Sequence, residues 1–200
     1  MPTIQQAPTP ASAHRVRALW RRWPIFLGLL AAALAVFTGG DRATVITALF
    51  VALSCYLAAA ALDRGWVAWA AVPIAIAAVT PGQFLNIDPW FVIGGASVVL
   101  IVVGLLRRAS QPALTAQSLA MLGYGAAAVL ALAFSPVVGA VLASLALIAH
   151  AIWDVLHYRK NAVVPHSLAE FCMFFDIPLG IAVIVLVLAP SRAVPRRCTL

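Results

Sequence analysis

Apolar residues fall into seven long runs separated by short polar or helix-stopping stretches. The runs are Pro24–Thr38, Ala43–Leu62, Trp66–Thr80, Trp90–Leu106, about Ala113–Phe134, Pro136–Tyr158 and His166 to Ala189. The second, uncharged from Ala43 to Leu62, is long enough as a helix to cross ~30 Å of hydrocarbon. Gly39-Gly40, Asp63-Arg64-Gly65, Ser135-Pro136 and Arg159-Lys160-Asn161 read as stops and turns. The third run is short and holds Pro73, which suits a tilt or kink with neighbours satisfying the freed carbonyl. Pro81-Gly82-Gln83 then reads as the start of a loop ending at Asp88-Pro89. Gly123 and Gly125 permit close helix approach in the fifth run. The expected fold is an all-α bundle of about seven transmembrane helices over residues 14–190. Its alternative is six spans plus a re-entrant segment.

Composition sharpens that reading. Hydrophobic residues make up 64% of the chain and charged residues 10%, against roughly 25% charged in a soluble domain. With a mean hydropathy of +1.03, a soluble chain could not cover its own surface. The net charge of +7 would suit nucleic acid, but the basic residues flank the runs instead of forming a face interleaved with aromatics. Arg15, Arg17, Arg21 and Arg22 precede the first run, Arg107 and Arg108 follow the fourth, and Arg159 and Lys160 follow the sixth. With the N-terminus cytoplasmic, nine of the thirteen basic residues lie inside, leaving Arg42, Arg192, Arg196 and Arg197 outside. The expected location is the cell membrane, with the bilayer as partner and no nucleic acid.

Residues 1–13, with three prolines and little apolar content, read as a disordered tail, and residues 191–200 as a short basic one. Ala33-Leu34-Ala35 could pass for a signal-peptide cleavage motif, but an uncleaved first helix does the same orienting job. Cys55, Cys172 and Cys198 have no paired spacing, and the terminal Cys-Thr-Leu is one residue short of a prenylation box.

Candidate chemistry gathers between His150 and Asp176. Three of the four histidines and three of the six carboxylates fall there, and ionisable groups between apolar runs are costly enough to suggest function. On a helix, His150, Asp154 and His157 lie within about 60° of one another, with Trp153 beside them. His166 and Glu170, four apart, share a face of the next helix. Asp176 lies about 80° round from His166 and two to three turns deeper. An antiparallel fold-back would set His157 level with His166 and Asp154 level with Glu170. His150, Asp154, His157, His166 and Glu170 are therefore the candidate metal ligands, with Asp176, Trp153 and Cys172 as further members of the polar site.

Imidazole and carboxylate suit zinc or non-haem iron, and two histidines with one carboxylate can leave positions open. Asp154-x-x-His157 has the spacing of the Glu-x-x-His element of di-iron bundles, though no second copy occurs. His150 and His157 are about 10.5 Å apart along a helix axis, a long reach for one ion. Two other readings use the same residues. One is a proton or ion relay in a transporter component. The other is a structural clamp between helices, worth about 0.6 kcal/mol per hydrogen bond.

Elsewhere the polar residues read as packing. Ser54, Cys55 and Ser97 lie in apolar runs, Tyr56 and Tyr124 are isolated, and Phe171, Phe174 and Phe175 suit core or lipid contact.

The hairpin resembles an uncharacterised family of small integral membrane proteins. Its members carry His-x-x-x-(Trp)-Asp-x-x-His on one late helix and Phe-Cys/Ala-x-x-x-Asp on the next. The matching residues are His150, Trp153, Asp154, His157, Phe171, Cys172 and Asp176. The resemblance implies a membrane protein with a polar hairpin and brings no established activity. The expected function is an intramembrane His/carboxylate site, metal-binding and hydrolytic or oxidative towards a lipid-soluble substrate.

Overall fold

A computed structural model describes residues 22–85 and 87–189. The two tails, with Cys198, Arg15, Arg17 and Arg21, lie outside the described residues. The described chain is all-helical: α1 (Trp23–Thr38), α2 (Arg42–Leu62), α3 (Val67–Leu85), α4 (Pro89–Leu106), α5 (Gln111–Leu130), α6 (Pro136–Lys160) and α7 (His166–Leu188). Five of these are long and apolar enough to cross a membrane, while Trp23–Thr38 and Val67–Pro81 are shorter apolar helices.

Local chemistry accounts for most boundaries. Asp41 caps α2, its Oδ1 accepting from the Thr44 N–H at 2.9 Å and the Thr44 hydroxyl at 2.8 Å. Asp63 and Asn161 end α2 and α6 in the left-handed region, at φ 50° and 46°. α1, α4, α5 and α6 each hold a proline in the first turn, where no amide donor is missed.

Two boundaries differ from expectation. α3 runs through Pro81 to Leu85 instead of opening a loop there. Pro81 sits in the final turn, so the hydrogen bond it removes is followed by little further helix. α5 stops at Leu130 and tightens into a 3₁₀ turn at Ala131–Ala133 instead of continuing to Phe134.

α2 is the centre of the bundle, packing against α3, α4, α5, α6 and α7, while α1 docks on α7. Its small side chains (Ala52, Ser54, Cys55, Ala58 to Ala61) are buried and let neighbours approach closely. The inside of the bundle is therefore one helix deep, and large apolar side chains such as Phe26, Leu30, Phe37, Phe91 and Val98 face outwards.

Among the described residues, Lys and Arg are confined to the ends. Asp63 accepts from the Ser110 amide, Gly65 faces Val163 and Pro165, and Arg22 pairs with Glu170. These contacts place the start of α1, the ends of α2, α4 and α6 and the start of α7 at one end. That end holds Arg22, Arg64, Arg107, Arg108, Arg159 and Lys160; among described residues the opposite end holds only Arg42 as a basic group.

Close packing at α1–α7 depends on Gly28, where an added Cβ would lie 2.6 Å from the Phe171 carbonyl oxygen. Backbone cannot give way there, whereas a Cβ at Gly94 would meet nothing within 4 Å. Gly28→Ala should destabilise the bundle by about 1–3 kcal/mol, and Gly94→Ala should be neutral or slightly stabilising. Thermal unfolding in one detergent checks the contrast, and equal midpoints would contradict this account of the α1–α7 contact.

Candidate metal centre

α6 reaches Lys160 and α7 begins at His166, so only residues 161–165 connect them, with Asn161 and Val163 at positive φ. This turn sets the register of the hairpin. Lys160 lies level with His166, and at ~1.5 Å per residue His150 and Asp176 both lie about 15 Å from that end. The expected pairing of Asp154 with Glu170 is displaced by about half a turn, and Asp176 replaces Glu170 at the centre.

His150, Asp154 and Asp176 converge, one potential ligand atom from each lying within 4.8 Å of the others. His150 Nδ1 is 2.9 Å from Asp176 Oδ2 and 3.6 Å from Asp154 Oδ2. All three side chains are fully buried. From α2 the Tyr56 hydroxyl donates to Asp154 Oδ1 at 2.6 Å, within the short range of bonds to carboxylates. The rings of Tyr56 and Tyr124 stand edge-on to the His150 imidazole at 5.7 and 5.5 Å. Three buried atoms of the cluster have no hydrogen-bond partner: His150 Nε2, Asp154 Oδ2 and Asp176 Oδ1. Such atoms are uncommon in buried sites and call for a cause.

His157 belongs to a separate, closed network. The Trp153 indole, a donor only, donates to Gln117 Oε1 at 3.1 Å. That fixes the amide so that Gln117 Nε2 donates to His157 Nε2 at 2.9 Å. The remaining proton of the ring is then on Nδ1, which donates to the Trp153 carbonyl at 2.8 Å. Both nitrogens of His157 are engaged, so it is not free to ligate with His150.

The other expected ligands lie elsewhere. Glu170 accepts from Arg22 at 2.7 Å, and the His166 ring lies against Tyr158 at 4.7 Å. Both sit at the basic end of the hairpin, too far along α7 to meet the cluster. Cys172 is buried one turn before Asp176, in a small core with Cys55, Tyr56 and Leu168. Of the expected ligands His150, Asp154, His157, His166 and Glu170, only His150 and Asp154 come together, and Asp176 joins them.

Tyr56, Gln117 and Tyr124 carry parts of the site that the hairpin alone does not reveal. Depth is the signal that finds Tyr56. It lies six residues before the end of α2, and Asp154 six before the end of α6, both ends lying on the basic side. Gln117 is a polar side chain in an apolar run and has no comparable marker.

Searches of protein-family models, curated proteins and solved structures find no match to this chain.

Gln117→Leu should leave the Trp153 donor and one His157 nitrogen unpaired, costing about 1–3 kcal/mol. The double variant with Trp153→Phe should cost less than the sum of the two single changes, because the residues share a network. Thermal unfolding of the four proteins checks this, and strict additivity would contradict the network.

Proposed function

We propose that the chain is a multi-pass membrane protein whose core binds one divalent metal ion through His150, Asp154 and Asp176. Membrane placement is supported by the apolar outer face and by charges gathered at the helix ends. The basic end faces the cytoplasm by the bias of Lys and Arg towards that side. All seven helices cross in this reading, with Trp23 and Trp69 tilted against each other at 5.3 Å at the interface where α1 and α3 begin. The resemblance of the hairpin to small integral membrane proteins points the same way.

The metal reading is carried by one observation: two buried carboxylates face a single imidazole, and each member leaves an atom unpartnered. Among described residues, no Lys or Arg lies within ion-pair distance of either carboxylate; His150 is their one such neighbour. Two ionised carboxylates so placed repel each other and lack hydration, an expensive state without compensation. A divalent cation held between His150 Nδ1 and the two carboxylates would cancel their charge and give the unpartnered carboxylate oxygens a ligand role. One imidazole with two carboxylates falls among the donor sets used by zinc and ferrous iron. Three protein ligands also leave a position for water or substrate. Tyr56 would then orient Asp154 from outside the ligand shell.

Elemental analysis of protein purified without added chelator tests the site. The expected result is one zinc or iron per chain, lost in Asp154→Asn and Asp176→Asn and retained in His166→Ala. Tyr56→Phe should weaken affinity roughly 10- to 100-fold. Metal-free protein with intact thermal stability would instead support a cluster held by protons, as in a relay or a clamp.

Topology is tested in cells with a Cys198→Ser background and an impermeant maleimide. Cysteine introduced at Asp88 should label in intact cells, and cysteine at Ser110 only after permeabilisation. The reverse pattern would overturn the orientation.

A further inference from the structure

A second feature of the bundle runs beside the same cluster. α1 packs on α7 and α3 packs on α2, leaving a groove of about 410 Å³ with α2 and α7 in its floor. Its walls are mostly small or apolar, among them Ala35, Ala48, Val51, Val72 and Phe175. From Thr44 to Cys55 it follows about 16 Å of α2. Asp176 is in its wall, fully buried and with Oδ1 unpartnered. Phe171 lines the groove and lies tilted against Trp69 at 5.4 Å, with Trp69 tilted in turn against Trp23 at 5.3 Å.

One end of the groove is polar. Thr38, Thr44 and Thr47 line both the groove and an adjoining vestibule of about 750 Å³. The vestibule also contains Asp41 and Asp88 but, among described residues, no Lys or Arg. The nearby Arg42 donates to the Phe134 carbonyl instead. Asp88 makes no capping hydrogen bond with its side chain, so its oxygens can accept from a ligand. The arrangement is an acceptor-rich mouth at the helix ends, then an apolar slot that passes the buried Asp176 at mid-depth.

We propose that this groove binds a single-chain amphiphile with an uncharged, hydroxyl-bearing head, of the monoacylglycerol or long-chain alcohol class. The head lies in the vestibule, where hydroxyls donate to Asp41 and Asp88, and the chain runs down the slot beside Asp176. The two acids and the missing cation disfavour a carboxylate or phosphate head by like-charge repulsion. The volume lies low in the range of ~300–1,000 Å³ typical of small-ligand pockets, which suits one chain. The inference rests on the membrane reading above and adds to the metal site the class of molecule that meets it.

The test uses the full chain in nanodiscs with a monoacylglycerol carrying a diazirine near its chain end. The matching diazirine fatty acid is the comparator, and bound metal is measured on the same samples. Photolysis should label groove residues such as Val51, Ala52 or Phe175 in the wild-type chain. Labelling should fall several-fold in Ala35→Phe and in Ala48→Leu, with metal content unchanged, and the fatty acid should label weakly. Labelling spread over the outer face of α4 at Val98 and Val102 would overturn the proposal, as would equal labelling by the fatty acid. Bound metal without groove labelling removes the groove alone. Groove labelling without bound metal removes the metal site and leaves the groove.

Discussion

Two aspartates and one histidine are fully buried together in the middle of the bundle, and among the described residues no Lys or Arg lies within ion-pair distance of them. Each aspartate alone could be satisfied by hydrogen bonds, as Asp154 partly is by Tyr56. Together they leave an oxygen apiece, and a ring nitrogen, without partners. Removing such groups from water costs several kcal/mol unless something replaces it. The proposed divalent ion would supply both the charge and the coordination. The rest of the bundle can be understood as the frame that holds these three residues against one another.

That frame works because α2 is built from small side chains. It lets α6 and α7 close over Asp154 and Asp176 while delivering Tyr56 at the depth of Asp154. The hairpin connection has an equally specific effect. Asn161 in the left-handed region and a five-residue turn fix which residues of α6 and α7 lie level. A slip of a few residues would present Glu170 to Asp154, and Asp176 would have no partner. His157, closed into its network with Trp153 and Gln117, holds α5 to α6 beside the cluster without joining it.

Much of this was legible in the chain itself. The seven apolar runs correspond to the seven helices, and Gly39-Gly40, Asp63-Arg64-Gly65 and Ser135-Pro136 fall at helix ends. His150 and Asp154 follow from helical periodicity, which is local. What escaped was the relation between elements. An α6 ending at Tyr158 implies a longer turn than the observed end at Lys160 and a hairpin register about half a helical turn away. The shift promoted His166 and Glu170 and set Asp176 aside. Tyr56 and Gln117 escaped because nothing within their own helices marks them; their importance arises from packing across the bundle. Pro81 shows the opposite limit, since a strong local stop signal was overridden where little helix remained to be disrupted.

X-ray absorption at the metal edge tests the three-residue centre most directly, because it reports the ligand atoms themselves. The account predicts a first shell of nitrogen and oxygen alone at about 2.0–2.2 Å, with an imidazole contribution that disappears in His150→Ala. A shell containing sulfur at about 2.3 Å would move the metal to Cys55 and Cys172. That result, or the absence of any bound metal edge, would contradict the assignment of His150, Asp154 and Asp176.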